Sequence, residues 1–349
     1  MSATQLPSIL YLFPHPAAAG LAEVQSGAAP TERMYGVIEL RKNGYQVDIC
    51  DARFQGLFGK LRTRLRRFGI FLLDWRTLRE IARHDVLIVK DDFALFTTLI
   101  AKLLGKRVIY LDSMFSLPRR SWRRAVTKLN LVSADQVIAY SRRQIDLWRK
   151  DLAATRAPFT FLPYTVDVGF YKPVPPRPDT ERYVLSVGRD LGRDFTTLVE
   201  AVRGTGLRLK LVTLPYLLPQ GASSEPFIDI KERVSYAELF ELYANATVVV
   251  VPLTQSLLYP SGIRAVLEGA LLEKAVISTY TPVLEEYMTH DEEIVYVKPR
   301  SVEELREAIT SLVNDDERRT RIERNAKRRA LREFGMENFA RGLIGVLHD

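Results

Sequence analysis

The sequence predicts an α/β protein made of two doubly wound halves facing a central cleft. Three observations predict it. Short apolar runs of strand length recur with helical patterns between them, which argues for parallel sheets covered on both faces. The chain has 349 residues, enough for two domains of ordinary size. A stretch with four prolines and no periodicity, residues 172–182 (KPVPPRPDTER), separates two such series.

In the first series, residues 8–13 (SILYLF) read as a buried strand. Residues 14–30, rich in Pro, Ala and Gly, read as a long loop. Helical spacing over 31–42 ends before Asn43-Gly44, a stop signal, and 45–50 (YQVDIC) alternates as a strand. Residues 85–89, 107–111 and 136–139 are further strand-length apolar runs. The second series has strands at 183–187 (YVLSV), 207–213, 247–251 (TVVVV) and 275–278 (AVIS). Helices are expected at 194–202, 236–244 and 262–272, and the pattern from 301 onward is helical and highly charged.

Composition narrows the function classes. Apolar residues make up 47% and charged residues 26%, as in an ordinary globular chain. Cys50 is alone, so no intrachain disulfide can form, and a cytoplasmic setting is the simplest reading. The four histidines are scattered without metal-ligand spacing, so no metal site of the zinc kind is expected. The N-terminal segment has neither a basic region nor a long apolar run, so it is not read as a signal peptide. No apolar stretch reaches the roughly 18–20 residues of a membrane span.

The net charge of +8 is uneven. Residues 1–173 hold 27 Lys and Arg against 15 Asp and Glu, and the remainder hold 23 against 27. The basic half should meet something anionic: a membrane surface, a phosphorylated substrate or nucleic acid. From Leu57 to Glu80, the residues Leu61, Leu65, Phe68, Leu72 and Trp75 form an apolar stripe, with Lys60, Arg62, Arg64, Arg66 and Arg67 largely off it. This suits peripheral docking at the inner face of a membrane, or a helix packed on the sheet with a solvated charged face. A second basic run covers 119–128. Nucleic acid is the weaker partner, because no helix-turn-helix, RNP-like or zinc-finger pattern is present.

Two turns carry the candidate chemistry. Ser186-Val187-Gly188-Arg189 ends a strand, and Asp190 to Asp194 leads into a helix. Backbone N–H groups at such a turn, with Arg189 and Arg193 beside them, suit phosphate oxygens, although two solvated arginines at a plain turn would read the same. The second turn follows 248–252: Pro260-Ser261-Gly262-Ile263, then a helix with Glu268 two turns in among apolar neighbours. Ser261 can cap that helix, and Gly262 lets a ligand approach closely. A carboxylate at Glu268 needs a partner, either a ribose diol or a neighbouring protein group.

Four stretches, 161–173 (FLPYTVDVGFYKP), 185–202 (LSVGRDLGRDFTTLVEAV), 241–253 (ELYANATVVVVPL) and 261–279 (SGIRAVLEGALLEKAVIST), resemble family 4 of the retaining glycosyltransferases in order and spacing. The resemblance is good from about Pro163 onward and weak before it. It implies the GT-B fold, with a Rossmann-like acceptor-side domain over 1–173, a nucleotide-sugar donor domain over 174–335, and a final helix, 336–349, packing back on the first domain. It implies transfer of a sugar from a nucleotide diphosphate donor, UDP-sugar being the commonest, to a hydroxyl with retention. No cofactor or metal is implied beyond that co-substrate.

By the same resemblance, Gly188, Arg189 and Arg193 grip the donor diphosphate, Ser261, Gly262 and Ile263 form the sugar and phosphate loop, and Glu268 holds the ribose. Asp112 falls near the position where many members place a catalytic-site His. His15 would face the cleft after the first strand, unless it is simply an exposed loop histidine. The first Glu of the family's paired-Glu motif falls at Pro260 and is absent, as in a variant subgroup with Ser-Gly there. The alternatives are a catalytically weak GT-B partner subunit or a sugar-nucleotide epimerase. A phosphorylase would need a pyridoxal lysine site, and none is found.

Overall fold

The computed structural model describes residues 6–13, 17–51, 75–90, 97–111, 125, 128–129, 131–151, 158–178, 181–254 and 261–348. His15, Asp112 and Pro260 lie outside the described residues, as do most of the segment from Leu57 to Glu80 and most of the 119–128 run.

By internal contacts the chain divides into two compact units, residues 1–164 with 336–349, and residues 165–335. The first holds β1 (Ile9–Phe13), β2 (Val47–Asp51), β3 (Val86–Lys90), β4 (Arg107–Leu111), β5 (Gln136–Ala139) and β6 (Phe159–Phe161), with α1 (Ala18–Gln25), α2 (Val37–Lys42), α3 (Trp75–Arg83), α4 (Thr97–Leu103) and α5 (Arg142–Asp151). The second holds β7 (Tyr183–Val187), β8 (Arg208–Val212), β9 (Ile228–Lys231), β10 (Val248–Val251), β11 (Val276–Thr279) and β12 (Val295–Val297), with α6 (Phe195–Val202), α7 (Tyr236–Asn245), α8 (Ile263–Leu271), α9 (Val302–Asn314) and α10 (Asp316–Glu333). The last helix, α11 (Met336–His348), belongs to the first unit.

Both sheets are six-stranded and parallel, ordered β2-β1-β3-β4-β5-β6 and β12-β11-β10-β7-β8-β9. In the second, the chain runs outward from β7 through β8 and β9, then returns to pair β10 on the other side of β7. The strand order therefore reverses between β7 and β10, the switch point at whose carboxyl end open α/β sheets bind their ligands. The strands on either side explain the sheet's stability. Val248, Val249, Val250 and Val251 are all fully buried, and each buried valine contributes about 1.5–3 kcal/mol. The charged helix α10 fully buries only Ile322, Ala326 and Ala330, a stripe at four-residue spacing, while Arg318, Arg319 and Arg329 are half-buried against neighbouring segments.

Two expectations are corrected in the first unit. Residues 18–25, within the expected loop, form α1, because alanine is the strongest helix former and the run lacks an internal proline. The single helix expected over 31–42 is instead a 3-10 turn at Thr31–Met34 followed by α2. Tyr35 (φ 50°) and Gly36 (φ 92°) break it in the left-handed region. A Cβ at Gly36 would lie 3.0 Å from Phe339 and 3.3 Å from Leu343, so packing by α11 sets that break. Residues 159–161, 228–231 and 295–297 are strands that the sequence pattern did not reveal. They are three or four residues long, too short for a period to show.

Helix α11 is held at its carboxyl end by Arg107. That guanidinium donates to the carbonyls of Leu347 at 2.6 Å and Val346 at 2.7 Å. A cation there satisfies orphan carbonyls and opposes the helix dipole. The Tyr45 hydroxyl and His348 Nε2 lie 2.8 Å apart beside it.

Candidate functional site at the β7/β10 switch point

The two turns singled out in the sequence follow β7 and β10, so the second sheet brings them to one crevice. The β7 turn folds back on itself. Arg193 N donates to Asp190 O at 3.3 Å, and Gly192 N donates to the Asp190 carboxylate at 3.0 Å. It is then stitched to the end of β10: Asp194 N donates to Pro252 O and Thr254 N to Gly192 O.

Asp190 sits at the centre. One carboxylate oxygen accepts from Ser261 Oγ at 2.8 Å, and the other accepts from Arg193 Nε at 2.9 Å. Burial works to raise this carboxyl. The Arg193 charge and the hydrogen bonds from Ser261, Arg193 and Gly192 outweigh it, so the group titrates below the usual carboxylate range. Sequence reasoning assigned Asp190 no role. The signal was an acid between the two arginines of the turn, and only the fold shows that it also reaches Ser261.

Arg193 lies flat against Gly188. A Cβ on Gly188 would stand 2.3 Å from its Nε and 2.5 Å from its Cζ, so only glycine admits the guanidinium there. The side chain is 5% exposed, and its Nη1 is buried without a hydrogen-bond partner. A guanidinium nitrogen with an unmet hydrogen bond is costly unless a ligand completes it. Arg189 is different. It is exposed, and it makes no ion pair or hydrogen bond among the described residues. Its cation is available to the crevice at no cost in broken contacts.

The helix starts differ from expectation. Ser261 does not cap α8, because its hydroxyl is committed to Asp190. The cap position is Gly262, at φ 83°, which has no side chain to cap the first turn. A Cβ on Gly262 would also press on Val251 and Leu253, at 3.0 and 3.1 Å. By contrast, the α6 N-terminus after Arg193 is capped by Asp194, which accepts from Thr197 N at 3.1 Å. An acid already occupies that helix start, whereas glycine stands at the start of α8.

Glu268 is 4% exposed and fully engaged by protein groups. Arg264 Nε donates to Oε1 at 2.8 Å, the Tyr171 hydroxyl donates to the same oxygen at 3.1 Å, and the Tyr243 hydroxyl reaches Oε2 at 3.4 Å. Arg264 in turn donates to the Tyr171 and Tyr236 hydroxyls. Burial, and then the Glu268 charge, push the Tyr243 hydroxyl well above its ordinary value, so it remains a donor. The i, i+4 spacing of Arg264 and Glu268 was legible in the sequence. The tyrosines come from distant segments and were not.

Among the described residues no group of three or more His, Cys, Asp or Glu side chains could hold a metal ion, and no helix is long and apolar enough to cross a membrane.

Two parallel doubly wound sheets with a switch-point crevice define the GT-B class of α/β fold, and comparisons with known proteins agree. Residues 226–329 match the family described as glycosyl transferases group 1. The chain is similar to a solved sucrose-phosphate synthase from Thermosynechococcus elongatus, at 17% identity over 98% of each chain and a TM-score of 0.75. It is similar to a glycosyltransferase from Rickettsia africae, at 15% identity over 98% of each chain and a TM-score of 0.72. It is also similar to HepE of Anabaena, solved in complex with UDP-glucose, at 15% identity over 98% of this chain and 99% of that one, with a TM-score of 0.71. No curated protein matches by sequence. The fold of the whole chain is therefore that of GT-B proteins, and residues 226–329 are similar to the group 1 glycosyl transferases.

Proposed function

We propose that the chain transfers a glycosyl unit from a nucleoside diphosphate sugar, with UDP as the base-bearing half, to an acceptor hydroxyl with retention of configuration. The observation that carries this reading is the Arg193 guanidinium, fixed against Gly188 by Asp190 with Nη1 unpartnered at the switch point. A diphosphate at this turn would complement the fixed, partly neutralised guanidinium. Arg189, whose guanidinium fork suits phosphate oxygens, and the N-terminus of α8 at Gly262 and Ile263 add further positive potential. HepE, which was solved with UDP and with UDP-glucose, supports UDP as the first donor to test.

In the reaction, the bond from the anomeric carbon to the diphosphate oxygen breaks as the acceptor oxygen bonds to that carbon on the same face. The acceptor proton passes to the leaving phosphate, and the nucleoside diphosphate departs. Charge grows on the phosphate in the transition state, so cations already in place there lower the barrier without reorganising. Ser261 holds the two loops in register through Asp190. His15 and Asp112, outside the described residues, are the proposed catalytic residues.

Glu268 is proposed to hold the ribose through Oε2, whose tyrosine contact is the longest of the three at 3.4 Å. A purely structural carboxylate is the second reading, favoured by its complete set of protein partners. The acceptor is proposed to be lipid-linked or membrane-associated, drawn by the basic first half in a cytoplasmic, peripheral setting. That setting is motivated by the charge imbalance of the sequence alone.

A thermal-shift panel of UDP, GDP, ADP and dTDP with their sugar conjugates tests the donor site. A saturable rise with one diphosphate is expected. Absence of any shift refutes the site. Donor turnover without any acceptor, yielding a rearranged sugar nucleotide, favours the epimerase instead. Binding without turnover favours a partner subunit.

A further inference from the structure

The carboxyl edge of the second sheet carries another concavity. β11 and β12 lie one and two strands beyond β10. At about 4.8 Å per strand, their ends lie roughly 5 and 10 Å from that of β10. A cavity of about 610 Å³ opens beside them, within the usual range of small-molecule sites, about 300–1,000 Å³. Its walls include Tyr280, directly after β11, Tyr296 on β12, Lys298 after β12, Glu304 in the first turn of α9, and Glu285 and His290 from the segment between the strands.

The aromatic wall is rigid. The Tyr280 ring stands edge-on to Tyr296, with centroids 5.7 Å apart at 89°. His290 stacks on Tyr296 at 6.0 Å, and its Nδ1 accepts from Tyr296 N at 3.0 Å, a role open only to the neutral ring. The Tyr296 hydroxyl donates to Met288 O. Tyr280 is 41% exposed, and its hydroxyl donates to Glu285 at 2.8 Å, which aligns that carboxylate with the ring.

Charge then selects the ligand. Glu304 is paired with Lys298 at 2.6 Å and also accepts from Lys298 N, so Glu285 leaves the lining with one net negative charge. The start of α9, capped by Ser301 and bearing Glu303 and Glu304, is already acidic. Phosphate is therefore repelled from this pocket, in contrast to the β7/β10 crevice. Exposed ring next to carboxylate, with no spare cation, suits a neutral ligand having an apolar C–H face and hydroxyls at its rim. We infer that this pocket binds a neutral pyranose unit, held beside the donor site as part of the acceptor glycan. The ligand class rests on the lining; its role as acceptor rests on the transferase reading.

The experiment is saturation-transfer NMR on the full chain. The probes are millimolar methyl glycosides of glucose, galactose, mannose and N-acetylglucosamine, with and without saturating UDP. The expected result is a signal with at least one glycoside that persists in UDP. It should fall at least fivefold in Tyr280→Ala and in Glu285→Gln, and stay unchanged in Arg189→Ala. The exposed positions of Tyr280 and Glu285 keep both variants folded, and a melting curve on each checks this. No signal with any glycoside, an unchanged signal in a folded variant of either kind, or loss of the signal on adding UDP would overturn the inference. The UDP resonances in the same samples report on the donor site separately. Glycoside binding without UDP binding sinks the donor reading alone, and UDP binding without glycoside binding sinks this one alone.

Discussion

Gly188→Ala tests the candidate site through one methyl group. The new Cβ would lie 2.3 Å from Arg193 Nε, 2.5 Å from Cζ and 2.8 Å from Nη2. Ordinary contact begins near 3.4 Å, so the guanidinium must retreat by roughly an ångström. The backbone is not the obstacle, because Gly188 is not among the glycines in the left-handed region. Retreat breaks the Nε bond to Asp190, a charged hydrogen bond worth about 1.5–3 kcal/mol. Asp190 keeps its bonds from Ser261 and Gly192, which places the expected stability loss at the lower end of that range. The same displacement moves the guanidinium that is proposed to meet the diphosphate, so UDP should bind about tenfold to a hundredfold more weakly, at about 1.4 kcal/mol per tenfold. Urea denaturation measures the first quantity and titration calorimetry the second. A loss of stability with unchanged UDP affinity would show that Arg193 is a structural strut and refute its role as a phosphate ligand. Wild-type values for both would refute the close packing itself.

Four other perturbations separate the remaining roles. Arg189→Ala removes an exposed cation with no described partner, so UDP affinity should fall by about 1.5–3 kcal/mol while the urea midpoint stays put; a shifted midpoint contradicts this assignment. Glu268→Gln leaves Arg264 without its buried counter-charge, and a stability loss of about 1–3 kcal/mol is expected. Comparing UDP with its 2′,3′-dideoxy analogue in this variant and the wild type decides the ribose role, since equal discrimination in both proteins leaves Glu268 purely structural. The depressed Asp190 carboxyl contributes stability above its unfolded value, about 3.9, and that contribution is lost as pH falls through the lower folded value. The stability gap between wild type and Asp190→Asn should therefore be constant near neutrality and narrow in acid; a gap that does not narrow as pH falls below the unfolded value is inconsistent with this. Arg107→Ala removes both bonds to the carbonyls ending α11, and hydrogen exchange in that helix should rise before exchange elsewhere.

What the sequence determined by itself was the order of elements and the chemistry of the two turns. Four consecutive valines at 248–251 leave few options but a buried strand, and Gly188 and Gly262 mark the turns that follow β7 and β10. Arg189, Arg193, Ser261 and Glu268 were all visible as candidates, because charged residues at strand ends and in apolar helices have few bland explanations. Their partners from distant segments were not visible. Asp190 meets Ser261 across 71 residues, and Glu268 meets Tyr171 across 97, and neither separation leaves a local pattern. The tertiary structure moved Ser261 from cap to clamp and left Gly262 as the cap. It also decided the break at Tyr35 and Gly36, where α11 packs from the far end of the chain. Local propensity reads neighbours within a turn or two. The strand order of a parallel sheet, which sets every long-range meeting here, is chosen by how whole strands and helices bury one another.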